Sequence, residues 1–211
     1  LPKNFDMSHF TPKYNPWDER LCAVPGGDLY KAIHKGKADV VTDHIERFVE
    51  DGIQLKSGNK LEADIVITAT GLKVVVLGKI AVSIDGQPFD VTDKMSYRGV
   101  MFEGIPNAGM VFGYTNSSWT LKADLIADYF CRVINHMDDK GYDAVVPVNR
   151  DPSMPKKAFI DLSSGYISRV KDQLPKQGTR GAWKLHQNYF RDWLSLRASR
   201  ITAKELEYSK K

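Results

Sequence analysis

Residues 109–137 read GMVFGYTNSSWTLKADLIADYFCRVINHM, and their pattern sets the expected fold. Residues 109–112 are apolar and predict a short strand, and the polar residues within 113–118 predict a loop. From residue 119 to residue 137 apolar side chains recur at helical spacing, in a stripe wide enough to pack on more than one side. Gly141 predicts the end of this helix. The expected order is therefore strand, loop and long helix.

The loop offers side-chain hydrogen-bond donors from Tyr114, Thr115 and Asn116. The first backbone N–H groups of the following helix, and the positive end of its dipole, would face the same loop. A helix N-terminus of this kind favours an anionic or electron-rich ligand group. A buried connection capped by serine or asparagine explains the same residues without any ligand. The pattern alone leaves both interpretations open.

The composition is that of a folded protein. The 211 residues are 42% hydrophobic and 27% charged, which is enough for a sizeable core in one or two domains. No run of about 18 apolar residues occurs, so no membrane span is expected. The chain starts at Leu1 without a secretory signal, as a processed chain or a fragment would. Cys22 and Cys131 lie outside any C-x-x-C context, so we expect free thiols in a reducing cytoplasm.

The net charge of +4 is unevenly distributed. Residues 165–211 hold eleven Lys and Arg against four Asp and Glu. This basic end permits a non-enzymatic alternative, an interaction module that binds nucleic acid or an acidic partner. Basic residues on amphipathic helices more often form a solvated face, and no nucleic-acid-binding motif is present. The residues of that alternative are Arg169, Lys171, Lys176, Arg180, Lys184, Arg191 and Arg197, with Trp183, Tyr189 and Trp193.

The first half of the chain carries mostly strand signals. Asp28 begins and Gly36 ends one predicted short helix. Alternating and β-branched residues, separated by Gly- and Asn-containing turns, then predict strands. These strands are expected at residues 39–42, 45–49 and 53–55, with a hairpin around residues 85 and 86 and a further strand at 97–102.

Residues 63–71 read ADIVITATG. A continuous β-branched run is typical of a strand buried on both faces, as in a parallel sheet covered by helices. Because the run ends in Thr70 and Gly71, the backbone there can approach a neighbouring element or a ligand closely.

After about residue 145 three prolines interrupt the pattern. Two helices are predicted in this region, from residue 163 or 164 to residue 174 and from residue 183 to residue 198. The last residues, through Lys211, are expected to fray.

Motifs for several common chemistries are absent from the sequence. It contains no H-E-x-x-H, no G-x-S-x-G and no G-x-x-x-x-G-K-[ST], and its five histidines lack metal-ligand spacing, so no metal site is expected. No G-x-G-x-x-G occurs either. The chain by itself therefore does not hold a dinucleotide pyrophosphate in the usual way.

Arg20 is the main catalytic candidate, in a charged cluster after an aromatic, proline-rich segment. A guanidinium group there could stabilise a bound or developing anion. A solvent-facing ion pair with Asp18 or Glu19 is the structural alternative. The neighbouring Cys22 would be a reactive thiolate if Arg20 stabilises its charged form, and a buried inert thiol otherwise.

Four stretches carry a family resemblance: HFTPKYNPWDERLC at 9–22, ITATG at 67–71, GYTNSSWTLK at 113–122 and LPKQG at 174–178. Together they resemble the C-terminal part of the flavin-containing Baeyer–Villiger monooxygenases, in particular the ethionamide-activating subgroup. The resemblance runs nearly from end to end of the chain. The two glycine-rich dinucleotide fingerprints of that family lie N-terminal to the matching region, so a fragment is expected.

The resemblance implies an α/β fold, the C-terminal portion of a flavoprotein with two dinucleotide-binding domains, one for FAD and one for NADPH. Mixed sheet strands with packed helices are expected, and the N-terminal phosphate-binding units are missing. Residues 1–71 would complete the NADPH domain and the crossover, residues 72–145 would finish the FAD domain, and residues 146–211 would form a helical, basic C-terminal region.

The implied function is Baeyer–Villiger oxidation of a ketone, S-oxidation of a sulfide, or both, through a C4a-peroxyflavin. The cofactors would be FAD and NADPH, and the isolated fragment is expected to be inactive without the missing N-terminal part of the same enzyme. Neither nucleic acid nor a membrane is an expected partner. The resemblance makes Arg20 catalytic and assigns cofactor binding to Thr70, Gly71, Gly113, Tyr114, Thr115, Asn116 and Trp119.

Overall fold

The computed structural model describes residues 1–16, 18–19, 22–162 and 164–210, with the backbone alone at Val76. The chain divides into two compact units, Leu1–Leu72 and Lys73–Lys211. The division falls next to the predicted boundary after residue 71. The assignment of the units to cofactor domains stays a prediction.

The first unit combines one short helix with a small antiparallel sheet. Helix α1 spans Asp28–His34, as its turn signals predicted, and 3-10 turns lie at Met7–Phe10 and Pro25–Gly27. The sheet has the order β1-β2-β3, with β1 at Ile45–Val49, β2 at Gly52–Leu55 and β3 at Lys60–Glu62. The strands predicted at 45–49 and 53–55 are confirmed.

Two other strand predictions in this unit are wrong. Residues 39–42 and 63–71 form no strand. In the second run the side chains of Ile65 and Ile67 are 80% and 86% exposed. A strand exists only through its neighbours, and no strand in the described part of the chain pairs with these residues. The β-branched pattern therefore indicates a local preference for extended backbone, but no neighbouring strand buries these residues in the described structure.

The second unit is mixed α/β and is built around one long helix, α2, at Trp119–Lys140. Its described strands form four antiparallel pairs: β4 with β5, β6 with β7, β8 with β11 and β9 with β10. Their bounds are β4 Ser83–Ile84, β5 Gln87–Pro88, β6 Ser96–Tyr97, β7 Met101–Phe102, β8 Ala144–Pro147, β9 Lys156–Ala158, β10 Lys176–Gly178 and β11 Leu206–Ser209. The remaining helices are α3 Gly165–Ser168 and α4 Tyr189–Arg197, with 3-10 turns at Val76–Lys79, Lys171–Gln173 and Gly181–Trp183.

Helix α2 forms the centre of the main core. It ends where expected, because Gly141 adopts the left-handed conformation of a helix C-cap. Its buried face is narrower than the predicted stripe: Trp119, Leu121 and Ile134 lie at the surface. The face that packs inward holds Lys122, Leu125, Ile126, Tyr129 and Val133.

Three further expectations are corrected. Residues 109–112 form only one bridge, from Gly109 to Met101, so the predicted strand is absent. Residues 97–102 form a tight hairpin, β6 to β7, rather than one strand. Residues 206–209 are not frayed, because β11 pairs with β8, and Lys211 lies outside the described residues. The C-terminal region is thus part strand and part helix.

The predicted C-terminal helices are shorter than expected. Ser163, a predicted helix start, lies outside the described residues, and α3 ends at Ser168. The second predicted helix begins at Tyr189 rather than at residue 183, because the side chain of Asn188 accepts a hydrogen bond from the Arg191 amide (3.1 Å) and caps it there. Among the described residues, no helix is long and apolar enough to cross a membrane.

Candidate functional site: the loop before helix α2

The loop at residues 113–118 passes from the interior to the surface. Gly113 and Tyr114 are buried, Thr115 is half-buried, and Asn116 and the residues after it are exposed. Gly113 packs directly on the first residue of α2: a Cβ atom built on it would lie 2.3 Å from Cγ of Trp119. The loop therefore folds back on the start of the helix, and only a glycine fits at residue 113.

In the described part of the chain, the N-terminus of α2 has neither a side-chain cap nor an acidic residue in its first turn. Ser118 occupies the N-cap position but makes no side-chain cap, and its hydroxyl lies 2.7 Å from the hydroxyl of Thr120. The first turn contains no acidic residue. The first backbone N–H groups thus carry the positive end of the helix dipole, and no acidic side chain of the first turn neutralises it.

The loop is held from the other side by Gln187. The Oε1 atom of Gln187 accepts hydrogen bonds from the Thr115 amide at 2.9 Å and from the Thr115 hydroxyl at 3.3 Å. Gln187 itself has a φ of +50°, a left-handed conformation that is uncommon for this residue type. It directly precedes Asn188, the N-cap of α4. The loop is thereby tied to the start of that helix.

A buried polar cluster lies beneath the loop. The Nζ atom of Lys122 lies 2.7 Å from Oδ2 of Asp192, and the two side chains are only 3% and 4% exposed. The same Nζ atom lies 5.3 Å from the ring centroid of Tyr114. The Tyr114 hydroxyl is buried and makes no well-formed hydrogen bond within the described structure. Helix α2, helix α4 and the loop therefore meet at Lys122.

Burial shifts the titration of this cluster. It raises the pKa of Tyr114 well above its usual range, and the nearby Asp192 carboxylate raises it further. It lowers the pKa of Lys122, against the opposing effect of Asp192. It also lowers the pKa of His186, whose Nδ1 atom is buried without a hydrogen-bond partner in the described residues. Each shift favours the neutral form of the group.

Sequence reasoning missed Lys122, Asp192 and Gln187 as site residues. Lys122 had a detectable signal, because it lies on the same helix face as Leu125 and Ile126, where a charged side chain needs a buried partner. Nothing in the sequence identified Asp192 as that partner.

No protein-family model matches the chain, and no solved structure is similar to it. Curated relatives are similar along its whole length. The FAD-containing monooxygenase EthA of Mycolicibacterium smegmatis is 50% identical over 211 residues, and EthA of Mycobacterium tuberculosis is 50% identical over 212. An Acinetobacter sp. protein named "Probable FAD-binding monooxygenase AlmA" is 52% identical over 213. Each match covers 100% of this chain. Along its whole length the chain is therefore similar to FAD-containing monooxygenases.

The chain spans less than half the length of the relatives that it matches, 43% in each of these three. The predicted site residues of the loop lie together in the second unit of this chain. Thr70 and Gly71 belong to the first unit, where both are exposed and outside any strand. Arg20 lies outside the described residues, so its catalytic role stays a prediction. Cys22 is exposed and free, which excludes the buried thiol.

Three residues of the basic alternative make contacts within the fold. Trp183 is 3% exposed and belongs to the core. Arg180 forms an ion pair with Asp151, and Arg197 approaches Asp128 at 3.8 Å. The similarity to FAD-containing monooxygenases therefore has more support than an interaction module.

Proposed function

We propose that this chain supplies one wall of the flavin site of an FAD- and NADPH-dependent monooxygenase. The reaction of the whole protein would be Baeyer–Villiger oxidation of a ketone, oxidation of a sulfide, or both. The observation that carries the proposal is the uncapped, exposed N-terminus of α2 behind the GYTN loop, in a chain about half identical to FAD-containing monooxygenases. A cytoplasmic location belongs to the same proposal, because both cysteines are free thiols.

The loop fits an isoalloxazine ring in its chemistry. When bound, the flavin supplies electron transfer and oxygen activation, and its N1–C2=O edge gathers negative charge on reduction. Exposed Asn116 and the first N–H groups of α2 are donors suited to that edge. Because the Tyr114 side chain is buried, its proposed contact is through the backbone. The exposed Trp119 ring would border the same site. It packs edge-to-face against Phe112, with 5.5 Å between the two ring centroids.

The domain roles follow the family resemblance. Residues 1–71 would complete the NADPH domain, with Thr70 and Gly71 at the crossover to the FAD domain. Residues 72–145 would finish the FAD domain. The high exposure of Ile65 and Ile67 fits this proposal, since an apolar run of this kind is suited to burial in a larger sheet.

Arg20 would act as a fixed cation at the reaction centre. Its guanidinium would stabilise negative charge that develops on the reacting oxygen, and it stays charged throughout because it does not lose its proton. In a site that excludes water, loss of one such contact costs about 3 kcal/mol, or about a hundredfold in rate. The remaining residues of the wall would bind and orient the cofactor.

A chimera tests this function. The 211-residue chain would replace the region of M. smegmatis EthA that it matches, and the product would be assayed for bound flavin, NADPH oxidation and oxygenation of a test ketone and a test sulfide. We expect the chimera to bind flavin, to oxidise NADPH and to oxygenate the ketone, the sulfide or both. In the Arg20→Ala chimera NADPH oxidation should survive while oxygenated product is lost, and Arg47→Ala, at an exposed arginine of the same unit, should change neither.

Two results would contradict the proposal. A folded chimera without flavin would rule out the flavin wall, and unchanged product formation in Arg20→Ala would remove Arg20 from its catalytic role. The isolated chain has a separate expectation: it should not retain FAD through purification, because it lacks a glycine-rich pyrophosphate site. Visible flavin absorbance in the purified chain would contradict that expectation.

A further inference from the structure

Helix α4 has an unusual attachment to helix α2. Only Asp192 and Leu196 of α4 are buried, and they lie one turn apart on the same face. The apolar residues on its other sides point outward: Phe190, Trp193 and Leu194 are 77%, 42% and 57% exposed. Because α4 buries so little apolar surface, the Lys122–Asp192 ion pair is a major contact between the two helices.

A buried ion pair is a poor way to gain stability alone. Removing two charges from water costs about as much as their attraction returns, and well-packed apolar residues often serve as well or better. What a buried ion pair adds is a fixed place of contact, because each charge is compensated only while the other lies next to it. The 2.7 Å contact between Lys122 and Asp192 thus fixes the first turn of α4 at one place on α2.

The position of α4 is transmitted to the loop by Gln187. This residue lies two positions before the first residue of α4 and binds the Thr115 amide and hydroxyl through one side-chain oxygen. The positive φ of Gln187 supports this connection, because a strained backbone conformation persists only where the surrounding contacts hold it. Lys122 also reaches the loop directly, over the ring of Tyr114.

We propose that Lys122 and Asp192 are positioning residues for the loop at 113–118. Their ion pair fixes the start of α4 on α2, which sets Gln187 against Thr115 and gives the loop one conformation. The proposal rests on the proposed function only in naming a flavin as the ligand that this loop meets. Neither residue is assigned a contact with substrate or cofactor.

Hydrogen exchange of the Thr115 amide in the 211-residue chain tests the proposal. The double variant Lys122→Met/Asp192→Leu replaces both charges with apolar side chains and should melt within a few degrees of the wild type. Its Thr115 amide should exchange about fivefold faster or more, the factor for losing one ordinary hydrogen bond. The amide of Tyr129, in the core of α2, reports global unfolding and should change less.

The control is an exposed ion pair between the same two helices. Asp128→Asn removes the partner of Arg197, at 3.8 Å, and should alter neither amide. Gln187→Leu removes the acceptor while both buried charges remain, and it should accelerate Thr115 exchange as the double variant does. If the double variant does not fold, Asp192→Glu tests the proposal instead. This variant keeps both charges but lengthens the acidic side chain by one methylene group. Exchange of the Thr115 amide should again accelerate by a larger factor than exchange of the Tyr129 amide.

Wild-type exchange at Thr115 in a folded double variant, or in Asp192→Glu, would overturn the proposal. The proposal would also be overturned if the exchange rates of the Thr115 and Tyr129 amides rose by the same factor, because equal acceleration indicates a loss of global stability. Bound flavin in the chimera described above separates this proposal from the proposed function. A folded chimera without flavin would overturn the flavin assignment, whereas the exchange rates of the variants alone decide the positioning role.

Discussion

Replacing Gly113 with alanine measures how closely the loop is packed on helix α2. A Cβ atom at this position would lie 2.3 Å from Cγ, 2.4 Å from Cδ2 and 2.8 Å from Cβ of Trp119. Carbon atoms in contact ordinarily lie about 3.5–4.0 Å apart. Rotation of the indole ring can relieve the contact with Cδ2, but Cβ of Trp119 is fixed by the helix backbone. The loop or the first turn of α2 must therefore move.

Overpacking of this kind costs about 1–3 kcal/mol. For a protein of this size the melting temperature should fall by roughly 2–12 °C, measured by calorimetry or circular dichroism. Gly165→Ala is the matched control, because its Cβ atom would meet only Nη1 of Arg169 at 3.4 Å and should be tolerated. In a Trp119→Ala background, Gly113→Ala should lower the melting temperature by a smaller amount, but not by zero, because the contact with Cβ of residue 119 remains. Equal melting temperatures for the two glycine variants would refute the reasoning.

Three further predictions concern packing, titration and helix capping. Gly109→Ala should lower the melting temperature, since its Cβ atom would lie 1.6 Å from Cζ of Phe130, and adding Phe130→Leu should recover part of the loss. Burial lowers the pKa of His186, so the unfolded chain takes up a proton near pH 6.5 before the folded chain does. Urea unfolding should therefore show stability falling as the pH drops from about 7 to 5, with a smaller slope in His186→Gln; an unchanged slope would contradict this. Arg132→Met should destabilise the chain by about 1.5–3 kcal/mol in the same assay, because Arg132 donates to three carbonyl groups at the C-terminal end of α4, at 2.8, 3.1 and 2.6 Å. Wild-type stability of that variant would show that these hydrogen bonds contribute little.

The long helix was predictable because its signals are local. Helical spacing of apolar residues and a glycine that adopts the left-handed C-cap conformation lie within one stretch of chain, from Trp119 to Gly141. The hairpin around residues 85 and 86 was predictable for the same reason. Residues 63–71 show the limit of local signals, because a β-branched run becomes a strand only where another strand pairs with it.

At the C-terminal end, a strand forms where the local sequence does not predict one. Residues 206–209 have no strong strand pattern, yet they pair with residues 144–147. That pairing brings together segments far apart in sequence, so the register could not be deduced from either segment alone. The predicted start of α4 was too early for a different reason: the cap at Asn188, rather than apolar spacing, decides where that helix begins.

By itself the sequence determined the long helix, the polar loop before it and the similarity to flavin-dependent monooxygenases. Tertiary structure decided which loop residues face solvent and what holds the loop in place. The partners of Lys122 and Thr115 are Asp192 and Gln187, each about seventy positions away along the chain. Helical spacing places Lys122 on the inner face of α2, but only folding brings a carboxylate to that face, because an ion pair depends on distance in space rather than on distance in sequence.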